Sequence, residues 1–145
     1  MEGGASGRVG RFIGRHYTRM QPLEILVVDD EQSICLLLRD VLARFGHQVT
    51  TCQEGAVAIE MAADRRFDLI FLDIRMPGMS GLEALKALRE VQAQARFVMI
   101  TGFAKDDIIE EALRSGASAC LCKPFRLSQV TELLQELQTG APVEA

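Results

Sequence analysis

Polar and charged residues stand directly after four of the five short apolar runs in this chain. These residues are Asp29-Asp30-Glu31 after the first run, Asp73 after the third, Thr101-Gly102 after the fourth and Lys123-Pro124 after the fifth. In an open parallel sheet, ligands bind outside the carboxyl ends of the strands, where loops from several strands meet. The spacing therefore predicts that these residues share one site.

The acidic members of this group indicate which ion the site would hold. The carboxylates of Asp29, Asp30 and Asp73 would repel one another at a common edge, and this repulsion raises carboxyl pKa values. A folded protein keeps such a cluster when a cation offsets the charge. Oxygen ligands without histidine or thiolate favour a hard cation, and Mg²⁺ is the one best suited to phosphate chemistry.

The remaining polar residues suit the handling of a phosphoryl group. Lys123 offers a point charge for a phosphoryl oxygen. The Thr101 hydroxyl and the Gly102 amide can donate hydrogen bonds to the same group, and glycine permits a close approach. Asp73 is then the carboxylate nucleophile, with the cation and the lysine stabilising the transferring phosphoryl group.

The elements that would position these residues follow from the hydrophobic pattern. The apolar runs cover residues 24–28, 47–52, 68–72, 96–100 and 118–122. Three of the runs are continuously apolar, which is typical of parallel strands buried on both faces. Stretches with helical spacing lie between and after them, at residues 34–45, 56–63, 82–91, 106–113 and 128–137. The alternation predicts an α/β fold, a three-layer doubly wound sheet of five parallel strands, with Gly46 and Gly116 ending two of the helices.

Length and charge exclude several classes of protein. A chain of 145 residues holds one domain, and no apolar run approaches the roughly 20 residues that cross a bilayer. The first 19 residues carry four arginines and one acid, so the rest of the chain is more acidic than the net charge of −4. An acidic body argues against nucleic-acid binding. We expect a cytoplasmic protein that binds neither membrane nor nucleic acid by itself.

The predicted domain covers residues 22–138. Residues 1–21 are rich in glycine, so we expect a disordered or misassigned extension there. Residues 139–145 are predicted to be a flexible tail. The four cysteines lack the spacing of a complete metal site and are predicted to be reduced and small apolar residues.

The motifs taken together resemble the receiver domains of two-component response regulators. The resemblance covers residues 23–137 and includes VDDE at 28–31, LDIRMPGMSGLE at 72–83, TG at 101–102 and KPF at 123–125. It implies a flavodoxin-like fold and phosphoryl transfer to Asp73 from the phosphohistidine of a sensor kinase or phosphotransfer protein. It also implies that Mg²⁺ is held by Asp29 or Asp30, by Asp73 and by the main-chain carbonyl of Arg75.

The resemblance also implies what the domain does once phosphorylated. It would catalyse only its own phosphorylation and dephosphorylation, and its output would be an altered contact with a downstream protein. We expect a stand-alone receiver, a monomer or a weak phosphorylation-dependent dimer, with contacts on the surface made by residues 105–115, 118–122 and 127–137. A fragment of a longer regulator is the alternative.

One position departs from the family pattern, and two others bear on switching and on the lifetime of the phosphorylated state. Cys120 lies three residues before Lys123, where the family usually carries an aromatic switch residue. Phe103 is the candidate substitute, and the alternative is that it only packs at the start of a helix. Arg75 and Phe103, each two residues after a site residue, are predicted to flank the path of an attacking water and to slow self-dephosphorylation; alternatively, both are ordinary loop residues.

Two competing functions fit the sequence less well than a phosphorylated receiver. A phosphatase of the haloacid dehalogenase type needs a second aspartate two residues after its nucleophile, and that position is Arg75. A degenerate receiver that only docks would have no need of a costly acidic cluster.

His47 stands at the start of the second strand, away from the candidate site, and is predicted to be structural.

Overall fold

A computed structural model of the chain describes residues 21–102 and 105–139. Within these residues, five strands alternate with five helices. The strands are β1 (Glu24–Val28), β2 (Gln48–Cys52), β3 (Leu69–Asp73), β4 (Arg96–Thr101) and β5 (Ala119–Cys122). The helices are α1 (Gln32–Arg44), α2 (Gly55–Asp64), α3 (Gly81–Val91), α4 (Asp106–Arg114) and α5 (Leu127–Thr139). Residues 1–20 of the extension predicted at 1–21, Phe103, and residues 140–145 of the tail predicted at 139–145 lie outside the described residues. Thr139 is the last residue of α5 and not part of a tail.

The strands form one parallel sheet in the order β2-β1-β3-β4-β5. The three continuously apolar runs are the three central strands, as their burial on both faces requires. Val28 is level with Cys52 on one side and Leu72 on the other, and Asp73 is level with Ile100. The carboxyl ends of the strands therefore meet at one edge, and the predicted three-layer fold is confirmed.

The sheet separates two apolar layers. Leu26, Ile70 and Met99 point to the side covered by α2 and α3, where Ala84, Leu85 and Leu88 pack. Their neighbours in the strands, Ile25, Phe71 and Val98, point to the side of α1 and α5. Successive side chains of a strand leave opposite faces of a sheet, so a continuously apolar strand supplies both layers.

The ends of the elements differ from the predicted ones by one or two residues. Strand β2 begins at Gln48 rather than at His47, because the His47 N–H donates to the Leu42 carbonyl in the preceding turn at 3.3 Å. The buried His47 ring accepts a hydrogen bond from the Leu23 N–H at Nδ1 over 3.0 Å, and burial lowers the pKa of the imidazole. His47 is thus a structural residue away from the candidate site, as predicted.

Two glycines end helices as expected. Gly46 has φ +91° and Gly116 has φ +113°, both in the left-handed region that favours glycine. A Cβ at Gly116 would lie 2.4 Å from the Arg89 guanidinium, whose Nη1 donates to the Ser115 carbonyl at 3.1 Å. The end of α4 is thereby attached to α3.

The four cysteines are free. Burial raises the pKa of Cys52 and of Cys120 to about 11, so both thiols stay protonated at neutral pH. Among the described residues, the one cluster of potential metal ligands is acidic and contains no cysteine. No helix in the described part of the chain has the length and apolar character needed to span a membrane.

A buried glutamine, Gln92, forms hydrogen bonds to the backbone near the amino end of β3, at the end of the sheet opposite the candidate site. The Gln92 Nε2 donates to the Ala62 carbonyl at 2.7 Å and to the Arg65 carbonyl at 2.5 Å. Its Oε1 accepts from the Phe67 N–H at 3.0 Å. One side chain thus satisfies three backbone groups in the last turn of α2 and in the connection to β3.

Replacing Gln92 with leucine should destabilise the fold, because the buried Phe67 N–H and Ala62 carbonyl would lose their partner while staying shielded from water. We expect Gln92→Leu to lower the free energy of unfolding by about 2–5 kcal/mol. Urea unfolding followed by circular dichroism measures the change. Gln94→Leu, at a nearby exposed position, is the matched control; an equal loss in both variants would contradict this role.

Candidate phosphorylation site

Asp73 is the last residue of β3 and is 3% exposed. Its Oδ1 accepts a hydrogen bond from the Arg75 N–H at 3.3 Å. Asp73 therefore ends a strand instead of following it, and its carboxyl group lies at the carboxyl edge of the sheet. Burial and the neighbouring Asp29 carboxylate raise the pKa of Asp73 to about 7.

The loop after Asp73 returns tightly to the start of α3. The Gly81 N–H donates to the Ile74 carbonyl at 2.7 Å, and a Cβ at Gly81 would lie 2.1 Å from the Asp73 carbonyl oxygen. No residue with a side chain fits there without moving the backbone of Asp73. Ser80 and Glu83 then form a reciprocal capping box that begins the helix.

Asp29 and Asp30 follow β1 and differ in exposure. Asp29 is fully buried, and its Oδ1 accepts from the Glu31 N–H at 2.8 Å. Its Oδ2 faces the Lys123 ammonium group, which lies 3.1 Å away. Asp30 is exposed, and its carbonyl accepts from the Gln53 Nε2 at 3.0 Å. The two carboxylates thus approach the site from inside and from its rim.

These residues present oxygen ligands to a common point. One carboxylate oxygen each from Asp29, Asp30 and Asp73 lies within 4.8 Å of the others. Lys123 supplies one positive charge against these three carboxylates, so a divalent cation would offset the negative charge that remains. The donor set is oxygen only, which fits a hard divalent cation.

Lys123 extends from the end of β5 toward the acidic cluster. Its Nζ lies 2.5 Å from Glu31 Oε1, 3.1 Å from Asp29 Oδ2 and 3.6 Å from Asp73 Oδ2. Burial alone would lower the pKa of the ammonium group, but these carboxylates outweigh it and raise the pKa above its usual value. Lys123 therefore stays charged and contacts all three.

Thr101 and Gly102 lie at the end of β4. Thr101 is fully buried, and its carbonyl accepts from the Lys123 N–H at 2.7 Å. Because Asp73 is level with Ile100, Thr101 lies one residue beyond that level on the adjacent strand. Gly102 is exposed, and a Cβ there would have no atom within 4 Å, so it leaves open space at the site.

Three residues were predicted to govern switching and the lifetime of the phosphorylated state, and the structure describes two of them. Phe103 lies outside the described residues. The Arg75 side chain is exposed at the rim of the site. Cys120 is half-buried and packs against the layer that contains Met99 and Ala112, which is the α4 side of the sheet.

The sequence motifs contained two contributors to the site that pattern reasoning did not assign. Glu31 was predicted to lie at the site but was given no role, because its ion pair with Lys123 depends on distances between residues that are remote in the sequence. Gly81 was quoted within LDIRMPGMSGLE, and the only available signal was a glycine directly after the Ser80 cap.

Comparisons with known proteins agree with this geometry. The family model described as the response regulator receiver domain matches residues 25–135. The chemotaxis protein CheY of Bacillus subtilis is 33% identical over 113 residues, which are 77% of this chain and 94% of that protein. The sporulation initiation phosphotransferase F of the same species is 31% identical over 113 residues, 78% of this chain and 91% of that protein.

Solved structures extend the comparison. CheY4 of Vibrio cholerae superposes with a TM-score of 0.75 at 31% identity, covering 80% of this chain and 98% of that one. A response regulator from Burkholderia pseudomallei, solved with a phosphorylated aspartic acid and a calcium ion, has a TM-score of 0.71 at 26% identity. It covers 81% of this chain and 71% of that one.

The family match spans most of the chain, and the fold agrees with it. The chain belongs to the response regulator receiver domain family, and its function is phosphorylation-dependent signalling in a two-component system.

Proposed function

We propose that Asp73 is the residue that accepts the phosphoryl group, from the phosphohistidine of a sensor histidine kinase or a phosphotransfer protein. The observation that carries this proposal is the position of the Asp73 carboxyl group. It is buried at the sheet edge, within 4.8 Å of two further carboxylates, and its Oδ2 lies 3.6 Å from the Lys123 ammonium. The phosphorylated aspartic acid of the Burkholderia relative supports the same chemistry.

The transfer is a displacement at phosphorus. A carboxylate oxygen of Asp73 forms the new P–O bond, the P–N bond of the phosphohistidine breaks, and the imidazole leaves with the electron pair. Lys123 neutralises charge on the phosphoryl oxygens, and the Thr101 hydroxyl and Gly102 amide donate hydrogen bonds to them. The space beside Gly102 admits the group.

Mg²⁺ is the cation that we propose for the site. Asp29, Asp30 and Asp73 would hold it through their carboxylates, and Arg75 through its main-chain carbonyl. When bound, the ion supplies positive charge against the phosphoryl oxygens. The all-oxygen donor set and the excess of three carboxylates over one ammonium group support this assignment.

The output of the domain is a change in protein contacts. We propose that the domain catalyses no reaction besides its own phosphorylation and dephosphorylation, acts in the cytoplasm as a monomer or weak phosphorylation-dependent dimer, and binds a downstream protein. The face formed by α4, β5 and α5 is the proposed contact surface, because it adjoins both Thr101 and Lys123. Cys120, a half-buried residue of β5 on the side covered by α4, would transmit the change through small shifts in packing.

The central prediction concerns labelling of Asp73. With Mg²⁺ and a small phosphodonor such as acetyl phosphate, we expect one acid-stable, base-labile phosphoryl group on the protein, and none on Asp73→Asn or in EDTA. Intact-protein mass spectrometry measures the label. Asp40→Asn, an exposed acid on α1, is the matched control and should label normally. Label that persists in Asp73→Asn would sink the proposal.

A second prediction concerns the raised pKa of Asp73. Between pH 4 and pH 7, the metal-free folded state holds a proton on Asp73 that the unfolded state releases, so the stability that this proton gives is lost as the pH rises through this window. We expect Asp73→Asn to be more stable than the wild type in EDTA at pH 8, by on the order of 2–4 kcal/mol, and to lose this advantage near pH 4.

Urea unfolding at the two pH values, with and without Mg²⁺, measures the effect. Mg²⁺ should stabilise the wild type at pH 8 and leave Asp73→Asn less affected, because the variant lacks one carboxylate ligand. A wild type and variant with parallel pH profiles would contradict the raised pKa.

A third prediction concerns the lifetime of the phosphorylated state. If Arg75 and Phe103 shield the path of the attacking water, then Arg75→Asn combined with Phe103→Ala should shorten the lifetime several-fold. Decay of the isolated phosphoprotein in Mg²⁺ measures it, and Arg66→Asn, at an exposed position on another loop, is the control. An unchanged lifetime in the double variant would assign both residues to ordinary loop packing.

A further inference from the structure

Lys123 forms its shortest ion pair with Glu31, a residue outside the proposed phosphorylation machinery. The Nζ to Oε1 distance is 2.5 Å, compared with 3.1 Å to Asp29 Oδ2 and 3.6 Å to Asp73 Oδ2. The Lys123 side chain is 16% exposed, whereas that of Glu31 is 56% exposed. The ammonium group is therefore held inside the site by a carboxylate that reaches in from solvent.

The negative charge of Glu31 exceeds what the positive charges of the site can balance. A divalent cation together with Lys123 balances the carboxylates of Asp29, Asp30 and Asp73, so the negative charge of Glu31 has no further partner. Phosphorylation of Asp73 adds negative charge and strong acceptor oxygens. The phosphoryl group and Glu31 would then compete for Lys123, which also contacts the buried Asp29. Of these anions, the exposed Glu31 carboxylate can move into water at little cost.

Glu31 is not needed to build the local structure. It is the residue before α1, but its side chain makes no capping hydrogen bond to that helix. The hydrogen bond to Asp29 Oδ1 uses its backbone N–H, which any residue except proline supplies at this position. Replacing the side chain should therefore leave the fold intact.

We propose that Glu31 is a positioning residue that competes with the phosphoryl group for Lys123 and so opposes the phosphorylated state. In the unphosphorylated domain, the Glu31 carboxylate holds the ammonium group; in the phosphorylated domain, the phosphoryl oxygens displace it and Glu31 turns to solvent. This inference rests on the proposed function, because it assigns Lys123 to the phosphoryl group.

The first test uses beryllium fluoride, a small anionic mimic of the phosphoryl group, titrated into the full-length chain with Mg²⁺ and followed by ¹⁹F NMR. Glu31→Gln should bind the mimic about two- to fivefold more tightly than the wild type, the range expected for losing a partly exposed competing ion pair. Glu54→Gln removes the same charge from an exposed acid at the start of α2 on the same sheet edge. This control should match the wild type.

The second test needs neither metal nor phosphoryl group. In EDTA, Glu31→Gln and Lys123→Met are combined in a double-mutant cycle, and the free energy of unfolding is measured by urea denaturation. If Glu31 and Lys123 form an ion pair, Glu31→Gln should lower the free energy of unfolding more in the wild-type background than in the Lys123→Met background. Equal effects in the two backgrounds would show that Glu31 does not act through Lys123.

The outcomes separate this inference from the function on which it rests. Unchanged or weaker mimic binding by Glu31→Gln, with normal binding by the wild type, would overturn the competition and leave Asp73 as phosphoacceptor. An equal gain in Glu54→Gln would also overturn it, because net charge alone would then explain the effect. A wild type that neither binds the mimic nor labels at Asp73 would overturn the proposed function itself.

Discussion

Three carboxylates and one ammonium group share the carboxyl edge of the sheet, and the repulsion among the carboxylates governs the rest of the structure. Asp29 and Asp73 are buried there, where water screens their charges poorly. Without a cation, burial and the Asp29 carboxylate raise the pKa of Asp73, and the neighbouring carboxylates keep Lys123 charged. The metal-free state is therefore balanced by a proton and an ammonium group, and a divalent cation would replace the proton.

The sheet makes this crowding possible because its order brings distant residues to one edge. Asp29, Asp73 and Lys123 come from three strands, and the central strand β3 lies between β1 and β4. Each of the central strands is apolar on both faces, so the stability that holds the charges together comes from the two layers beneath them. Charge concentrated at one edge is thus supported by apolar burial elsewhere.

Much of the fold could be predicted from the sequence, because strand, helix and stop signals are local. The apolar runs marked the strands to within one or two residues, and Gly46 and Gly116 marked two helix ends. The grouping of Asp29, Asp73 and Lys123 also followed, since parallel strands place their carboxyl ends together. What could not be predicted depends on distances across the sheet, such as the pairing of Lys123 with Glu31 and the hydrogen bonds of Gln92. No local sequence pattern encodes which of several nearby carboxylates will form the shortest ion pair with an ammonium group.

Gly81 has no side chain where it packs against the Asp73 carbonyl, and this has a consequence for protein engineering. Every other residue brings a carbon atom into the space that the backbone of Asp73 occupies. Libraries aimed at altered signalling lifetime or partner choice should therefore leave position 81 fixed. Diversity belongs at the exposed positions of the same loop, Arg75, Pro77 and Gly78, where side chains face solvent or where a new one would meet no neighbour, although a replacement at Gly78 must tolerate φ +82°.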